Sequence, residues 1–205
     1  MSAFLGKIHY WLYNKIILQE KLIVEITELA GKKGFDTKSL LRESSLRYGA
    51  PVTGELEDII EHSNIHGWLQ EQITSAENRL AYTVTELIQN NIATIEEFSG
   101  LFFQDGQQKG RELGDLGAAE NYYQLIFDFM LEGMPCDRVN NIISSTEQEM
   151  IWETTRDLHA VYWEKAGGDA KNFNKMRIAW IQGFLSEKNF EYTLSEDGIN
   201  QLRKV

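Results

Sequence analysis

Four histidines are the residues whose type and spacing best suit chemistry in this sequence. Three of them, His9, His62 and His66, stand where helical spacings of three and four predict a buried apolar residue. A buried imidazole must satisfy its ring nitrogens with hydrogen bonds or with a metal, because an unpaired polar group in the core costs about 1–3 kcal/mol. These positions therefore predict either hydrogen-bonding histidines or a metal site.

His62 and His66 are four residues apart, a spacing that places two side chains one turn apart on a helix and lets them bind one ion. Asp58 precedes His62 by another four residues, so the three side chains form one column on a predicted helix. A carboxylate in that column is either a third ligand or a group that orients an imidazole. The column is the predicted starting point of a metal site.

A short internal repeat links His9 to His66. Residues 8–12 read Ile-His-Tyr-Trp-Leu and residues 65–69 read Ile-His-Gly-Trp-Leu, an offset of 57 positions (66 − 9 = 57). The repeat predicts two helices that present these histidines in equivalent surroundings across a shared site. His159, which has aromatic residues around it at helical spacings, is expected to face the same interior.

The neighbouring residues exclude two well-known kinds of metal site. The stretch from His62 to His66 lacks the glutamate that zincin proteases use as a general base, and no histidine has the preceding Glu-x-x of di-iron bundles. What remains is a mononuclear, imidazole-rich site for Zn, Ni, Fe or Mn. Its predicted ligands are His9, His62, His66, His159 and Asp58. An open coordination position would activate water in a hydrolase or transferase, whereas a closed one would be structural.

Two other interpretations stay open. Gly106, Gly110, Gly114 and Gly117 would make one smooth face on a helix, where a flat ligand can come close. Residues 114–117 are similar to the glycine-rich distal helix of heme oxygenase-like proteins, which implies a heme or small-ligand site with His9 as axial ligand. The glycines and their polar neighbours favour a loop instead. The third interpretation is a non-catalytic structural or interaction protein whose histidines only form hydrogen bonds in the core.

Charge and cysteine content restrict the partners. Asp and Glu total 31 against 20 Lys and Arg, so the net charge is −11 and we expect no nucleic-acid binding. Cys136 is the sole cysteine, which fits a reducing cytoplasm, and the N-terminus has no secretory pattern. No apolar run approaches the roughly 18 residues of a membrane helix. A cytoplasmic protein is expected, with a small-molecule ligand and a homo-oligomer left open.

Apolar positions at spacings of three and four predict that long amphipathic helices hold these residues. The predicted helices cover residues 3–31, 37–48, 55–90, 94–103, 112–132, 137–166 and 171–186. The segment 55–90 is one helix or two joined near Gly67 or Ser75, and 190–194 alternates like a strand. This pattern and the His-x-x-x-His pair resemble the metal-binding helical bundles of the DinB type. The sequence therefore predicts a single all-α bundle domain over 1–205, with a short C-terminal extended segment.

Overall fold

A computed structural model describes residues 4–205 of the chain. The helices are α1 (Lys7–Lys32), α2 (Thr37–Tyr48), α3 (Leu56–Ile59), α4 (Ile65–Gln89), α5 (Ile95–Leu113), α6 (Ala119–Phe129), α7 (Ala160–Lys165) and α8 (Lys171–Leu185). The strands are β1 (Asn140–Ser145), β2 (Glu149–Thr154), β3 (Phe190–Leu194) and β4 (Ile199–Lys204), and a 3-10 turn spans Pro135–Asp137. The predicted start of the first helix at residue 3 lies outside the described residues.

The strands form one antiparallel sheet in the order β1-β2-β4-β3, so the prediction of an all-α bundle is wrong. Helix accounts for 60% of the residues and strand for 11%, which makes this a mixed α/β fold. The main error is the helix predicted over 137–166. Met150 and Trp152 are buried while their neighbours on β2 are half-exposed, a period of two that fits a strand with one face on the core.

Helices and sheet share a core in which the inner face of the sheet packs on α6 and α8. The larger hydrophobic cluster joins the second halves of α1 and α4 to α5, α6, α8 and the sheet. A smaller cluster packs the first half of α1 against α3 and the first half of α4. No helix among residues 4–205 is both long enough and apolar enough to cross a membrane.

Glycines allow α5 and α8 to cross at backbone contact. A Cβ on Gly106 would lie 2.1 Å from the Trp180 carbonyl oxygen, and a Cβ on Gly183 would lie 2.1 Å from the Phe103 carbonyl oxygen. The loop predicted from the glycine spacing is therefore a helix as far as residue 113. Its glycine face is covered by α8, so this face is not open to a flat ligand.

The segment 55–90 is interrupted earlier than predicted. The chain leaves helical geometry between α3 and α4, at residues 60–64, and α4 then runs without a break past Gly67 and Ser75. Asn64 caps the new helix, because its side-chain oxygen accepts a hydrogen bond from the Gly67 amide at 3.2 Å. This cap fixes where the histidines of the segment lie.

Candidate functional site

The predicted column of Asp58, His62 and His66 is not formed. Asp58 belongs to α3, His62 to the following turn and His66 to the first turn of α4, and all three are exposed. The His62 Nε2 atom lies 3.2 Å from the carbonyl oxygen of Glu57. The break at 60–64 removes the helical spacing on which the chelating pair depended.

The structure does bring His9 and His66 together. Their Nε2 atoms are 3.4 Å apart, close to the separation of about 3.3 Å between two ligands of a tetrahedral zinc with bonds of 2.0–2.1 Å. However, the Gly6 amide donates a hydrogen bond to His9 Nδ1 at 2.9 Å, which leaves the proton of the neutral ring on Nε2. Burial is the main cause that lowers the pKa of His9, and the neighbouring His66 lowers it further. In this geometry His9 donates to His66 and has no free Nε2 lone pair for a metal.

His159 has different neighbours from the other three histidines. Within the described part of the chain, no group of three or more His, Cys, Asp or Glu side chains is arranged to hold a metal ion. The described residues therefore do not gather His9, His62, His66, His159 and Asp58 into one site, and metal binding by this protein stays a prediction. The side chains that do surround His159 form a different kind of site.

Four elements supply this second site. Glu77 comes from α4, Glu132 from the segment after α6, His159 from the residue before α7, and Arg177 from α8. Asp157 fixes the backbone at the start of α7, because its Oδ1 accepts hydrogen bonds from the amides of His159 (2.7 Å) and the next residue (3.0 Å). The position of His159 therefore depends on how α7 begins.

The charged groups alternate in sign across the site. His159 Nδ1 lies 3.0 Å from Glu77 Oε2, and His159 Nε2 lies 3.6 Å from Glu132 Oε1. Arg177 forms an ion pair with the other oxygen of Glu132. Phe173 stacks on the imidazole with ring centroids 3.8 Å apart, and only 5% of His159 is exposed. We call this chain of four residues the Glu-His-Glu-Arg cluster.

His159 and Glu132 hold their charges at neutral pH. Burial alone would lower the pKa of His159, but Glu77 and Glu132 outweigh it and raise that pKa to about 9. Burial would raise the pKa of Glu132, but Arg177 and His159 outweigh it and lower that pKa to about 2. The ring is therefore an imidazolium, able to donate hydrogen bonds or a proton but not to act as a base.

A buried lysine adds positive charge close to the cluster. Lys15 on α1 is 1% exposed, and its Nζ lies 3.8 Å from the centroid of the Trp11 ring. No carboxylate of residues 4–205 lies within 4.0 Å of this nitrogen. Burial is the main reason that the pKa of Lys15 falls to about 8, although Glu132 and Asp128 oppose the decrease.

Two clefts meet at His159. The Glu77 cleft has a volume of about 370 Å³, and the Arg177 cleft, on the Glu132 side, has a volume of about 190 Å³. The segment that carries Arg156, Asp157 and His159 lines both. In the part of the chain that the structure describes, Glu77 Oε1 and His159 Nε2 are buried without a hydrogen-bond partner. Two residues that line the clefts therefore keep a buried polar atom without a hydrogen-bond partner.

The two clefts differ in charge. The Arg177 cleft has three cations, Arg156, His159 and Arg177, against the carboxylates of Glu132 and Asp157, a net of 3 − 2 = +1. The Glu77 cleft has two cations against three carboxylates, a net of 2 − 3 = −1; its charged residues are Arg156, His159, Glu77, Asp137 and Asp157. The Arg177 cleft therefore favours an anion.

Sequence reasoning identified His159 but missed its partners. Glu77 stands four residues after Ile73 and three before Leu80, so it lies on the apolar stripe of its helix, and this was the signal available. Glu132 and Arg177 have no comparable local signal.

Comparison of the chain with protein-family models, with curated proteins and with solved structures finds no significant match.

Proposed function

We propose that this protein binds a small organic acid in the Arg177 cleft, with the acid's carboxylate held by the cations of that cleft. The supporting observation is the Glu-His-Glu-Arg cluster, in which Glu77, Glu132 and His159 are buried and the Arg177 side chain is 12% exposed, and which lies beside the two clefts. Replacing buried ion pairs by apolar residues is often neutral or stabilising, by roughly 1–4 kcal/mol. A buried charge cluster next to a cleft is therefore better explained by ligand binding than by stability alone.

The lining of the cleft supports a carboxylate as the recognised group. Arginine matches a carboxylate with two parallel N–H donors, and two arginines, Arg156 and Arg177, line this cleft. Asn174 and Asn200 add polar groups, and Asn200 is itself held by Tyr192, which donates to its Oδ1 at 2.7 Å. A cleft with a net charge of +1 and a rigid polar wall suits a monoanion.

Acetate is the simplest probe of this proposal. We expect acetate to shift the NMR signals of the His159 ring and of the arginine side chains in a saturable way. Arg156→Gln should weaken this binding about tenfold or more, because a hydrogen bond to a charged group contributes about 1.5–3 kcal/mol. Arg42→Gln is the matched control, since Arg42 is exposed on α2. Absence of saturable acetate binding, or equal binding by both variants, would overturn the proposal.

A further inference from the structure

A small apolar cavity adjoins the Arg177 cleft. It has a volume of about 40 Å³ and lies between α1, α4, α5, the end of α6 and α8. Its apolar walls include Leu22, Leu80, Phe102, Phe129, Phe173 and Trp180. Two polar side chains line it as well, Gln19 and Arg177. We call it the Gln19 cavity.

Gln19 is the residue that points to a ligand. It is 7% exposed, and its Nε2 is buried with no hydrogen-bond partner among residues 4–205. Buried polar groups in native proteins almost always have a partner, and an unpaired donor destabilises the folded chain. Leucine would fit the surrounding apolar residues better, so an amide at this position favours an acceptor that enters the cavity.

Arg177 connects the cavity to the anion cleft, because its side chain lines both spaces. Within the described residues, Arg177 forms an ion pair with Glu132 and contacts the Phe127 ring, whose centroid lies 5.6 Å from the guanidinium carbon. A guanidinium has five N–H donors, so donors remain for a ligand. A molecule with its carboxylate at Arg177 can therefore extend an apolar part into the cavity.

The volume limits the size of that apolar part. A water-sized group needs about 10–15 Å³ by this measure, so 40 Å³ holds roughly three such groups. We propose that the Gln19 cavity takes the hydrocarbon chain of a short carboxylic acid of roughly four to six carbon atoms, with one oxygen of the carboxylate at Arg177 also accepting a hydrogen bond from Gln19 Nε2. This inference rests on the proposed function, since the same arginine holds the carboxylate. It excludes long fatty acids and heme from the cavity as it stands.

A series of carboxylic acids of increasing chain length, tested on the intact 205-residue chain, tests the inference. We expect affinity to rise about fourfold per methylene from acetate to pentanoate, the gain for burying one CH₂ group, and to fall again for decanoate. The terminal methyl of bound pentanoate should show NMR cross-relaxation to the Trp180 ring. This contact needs no variant and therefore does not depend on whether a mutant folds.

Gln19→Leu separates a ligand contact from a packing role. We expect this variant to melt at a higher temperature without ligand, because a buried unpaired donor is removed, and to bind pentanoate at least several-fold more weakly. Gln124→Leu, on the exposed face of α6, is the matched control and should bind pentanoate as the wild type does.

The outcomes distinguish this inference from the proposal on which it rests. Failure of every acid, acetate included, overturns the proposed function. Equal affinity for acetate and pentanoate, no contact with Trp180, or unchanged pentanoate binding by Gln19→Leu overturns the cavity assignment alone. Ordered water in the cavity when pentanoate is bound would also overturn it.

Discussion

Removing the His159 imidazolium should change how stability depends on pH. The pKa of His159 is about 9 in the folded protein against an ordinary value of 6.5, a difference of 2.5 units. At about 1.4 kcal/mol per unit, this corresponds to about 3 kcal/mol of stability. Because the folded pKa is raised, the contribution is fully present below pH 6.5 and is lost as the pH rises through about 9.

The double variant Glu77→Gln/His159→Gln is the appropriate reference, because it removes the imidazolium without leaving the facing carboxylate buried alone. We expect urea denaturation to show that the excess stability of the wild type falls by about 3 kcal/mol between about pH 6 and pH 10. Lys15 acts in the opposite direction: because its folded pKa is lowered to about 8, it destabilises the fold below that pH, and this penalty disappears as the pH rises from 8 towards 10.5. Both proteins retain Lys15, so its effect cancels in the difference.

His66→Gln provides the matched control, because His66 is an exposed histidine outside the cluster. Its stability relative to the wild type should not change over the alkaline range. If the difference between the wild type and the double variant is also independent of pH there, His159 is not held as an imidazolium and the reasoning is refuted.

Three further outcomes are expected. Lys15→Met should raise the free energy of unfolding near neutral pH by up to about 3 kcal/mol, because it removes the penalty that lowers the pKa of Lys15 from 10.5 to about 8. A lower free energy of unfolding, measured by chemical denaturation, would contradict this. Gly106→Ala should lower the free energy of unfolding by about 3 kcal/mol, because its Cβ would lie 2.1 Å from a backbone oxygen. Gly100→Ala on the same helix is the control: its Cβ meets nothing within 4 Å, so stability should be unchanged or slightly higher. Zinc should not bind stoichiometrically at His9 and His66, because the Gly6 amide donates to His9 Nδ1. Calorimetric zinc uptake that His66→Ala abolishes would contradict this expectation and support the metal hypothesis.

Long helices with clear punctuation could be predicted from the sequence. Helix α2 has the predicted bounds, and α8 ends one residue before the predicted end. The strands β1 and β2 were missed because each is only six residues long, and one of the two partners of β2, strand β4, lies about 50 positions away in the sequence. The alternation of buried and half-exposed residues in β2 is so short that the same residues fit a helical pattern nearly as well as a strand pattern.

The candidate site was predicted only in part for the same reason. The internal repeat predicted that His9 and His66 lie in equivalent surroundings across a shared site, and the structure places their Nε2 atoms 3.4 Å apart. His159 was also predicted as a site residue, but Glu77, the carboxylate that contacts its Nδ1 atom, is 82 positions away in the sequence. Which carboxylate meets which imidazole is decided by packing between helices, and that information lies outside any one sequence window.

The most direct test of the account is a titration of the His159 ring nitrogens by NMR in the intact protein. The account predicts that both nitrogens remain protonated through neutral pH and that the ring titrates at about 9. A ring that titrates near its ordinary value of 6.5, as an isolated histidine does, would contradict the Glu-His-Glu-Arg cluster and the anion site built on it.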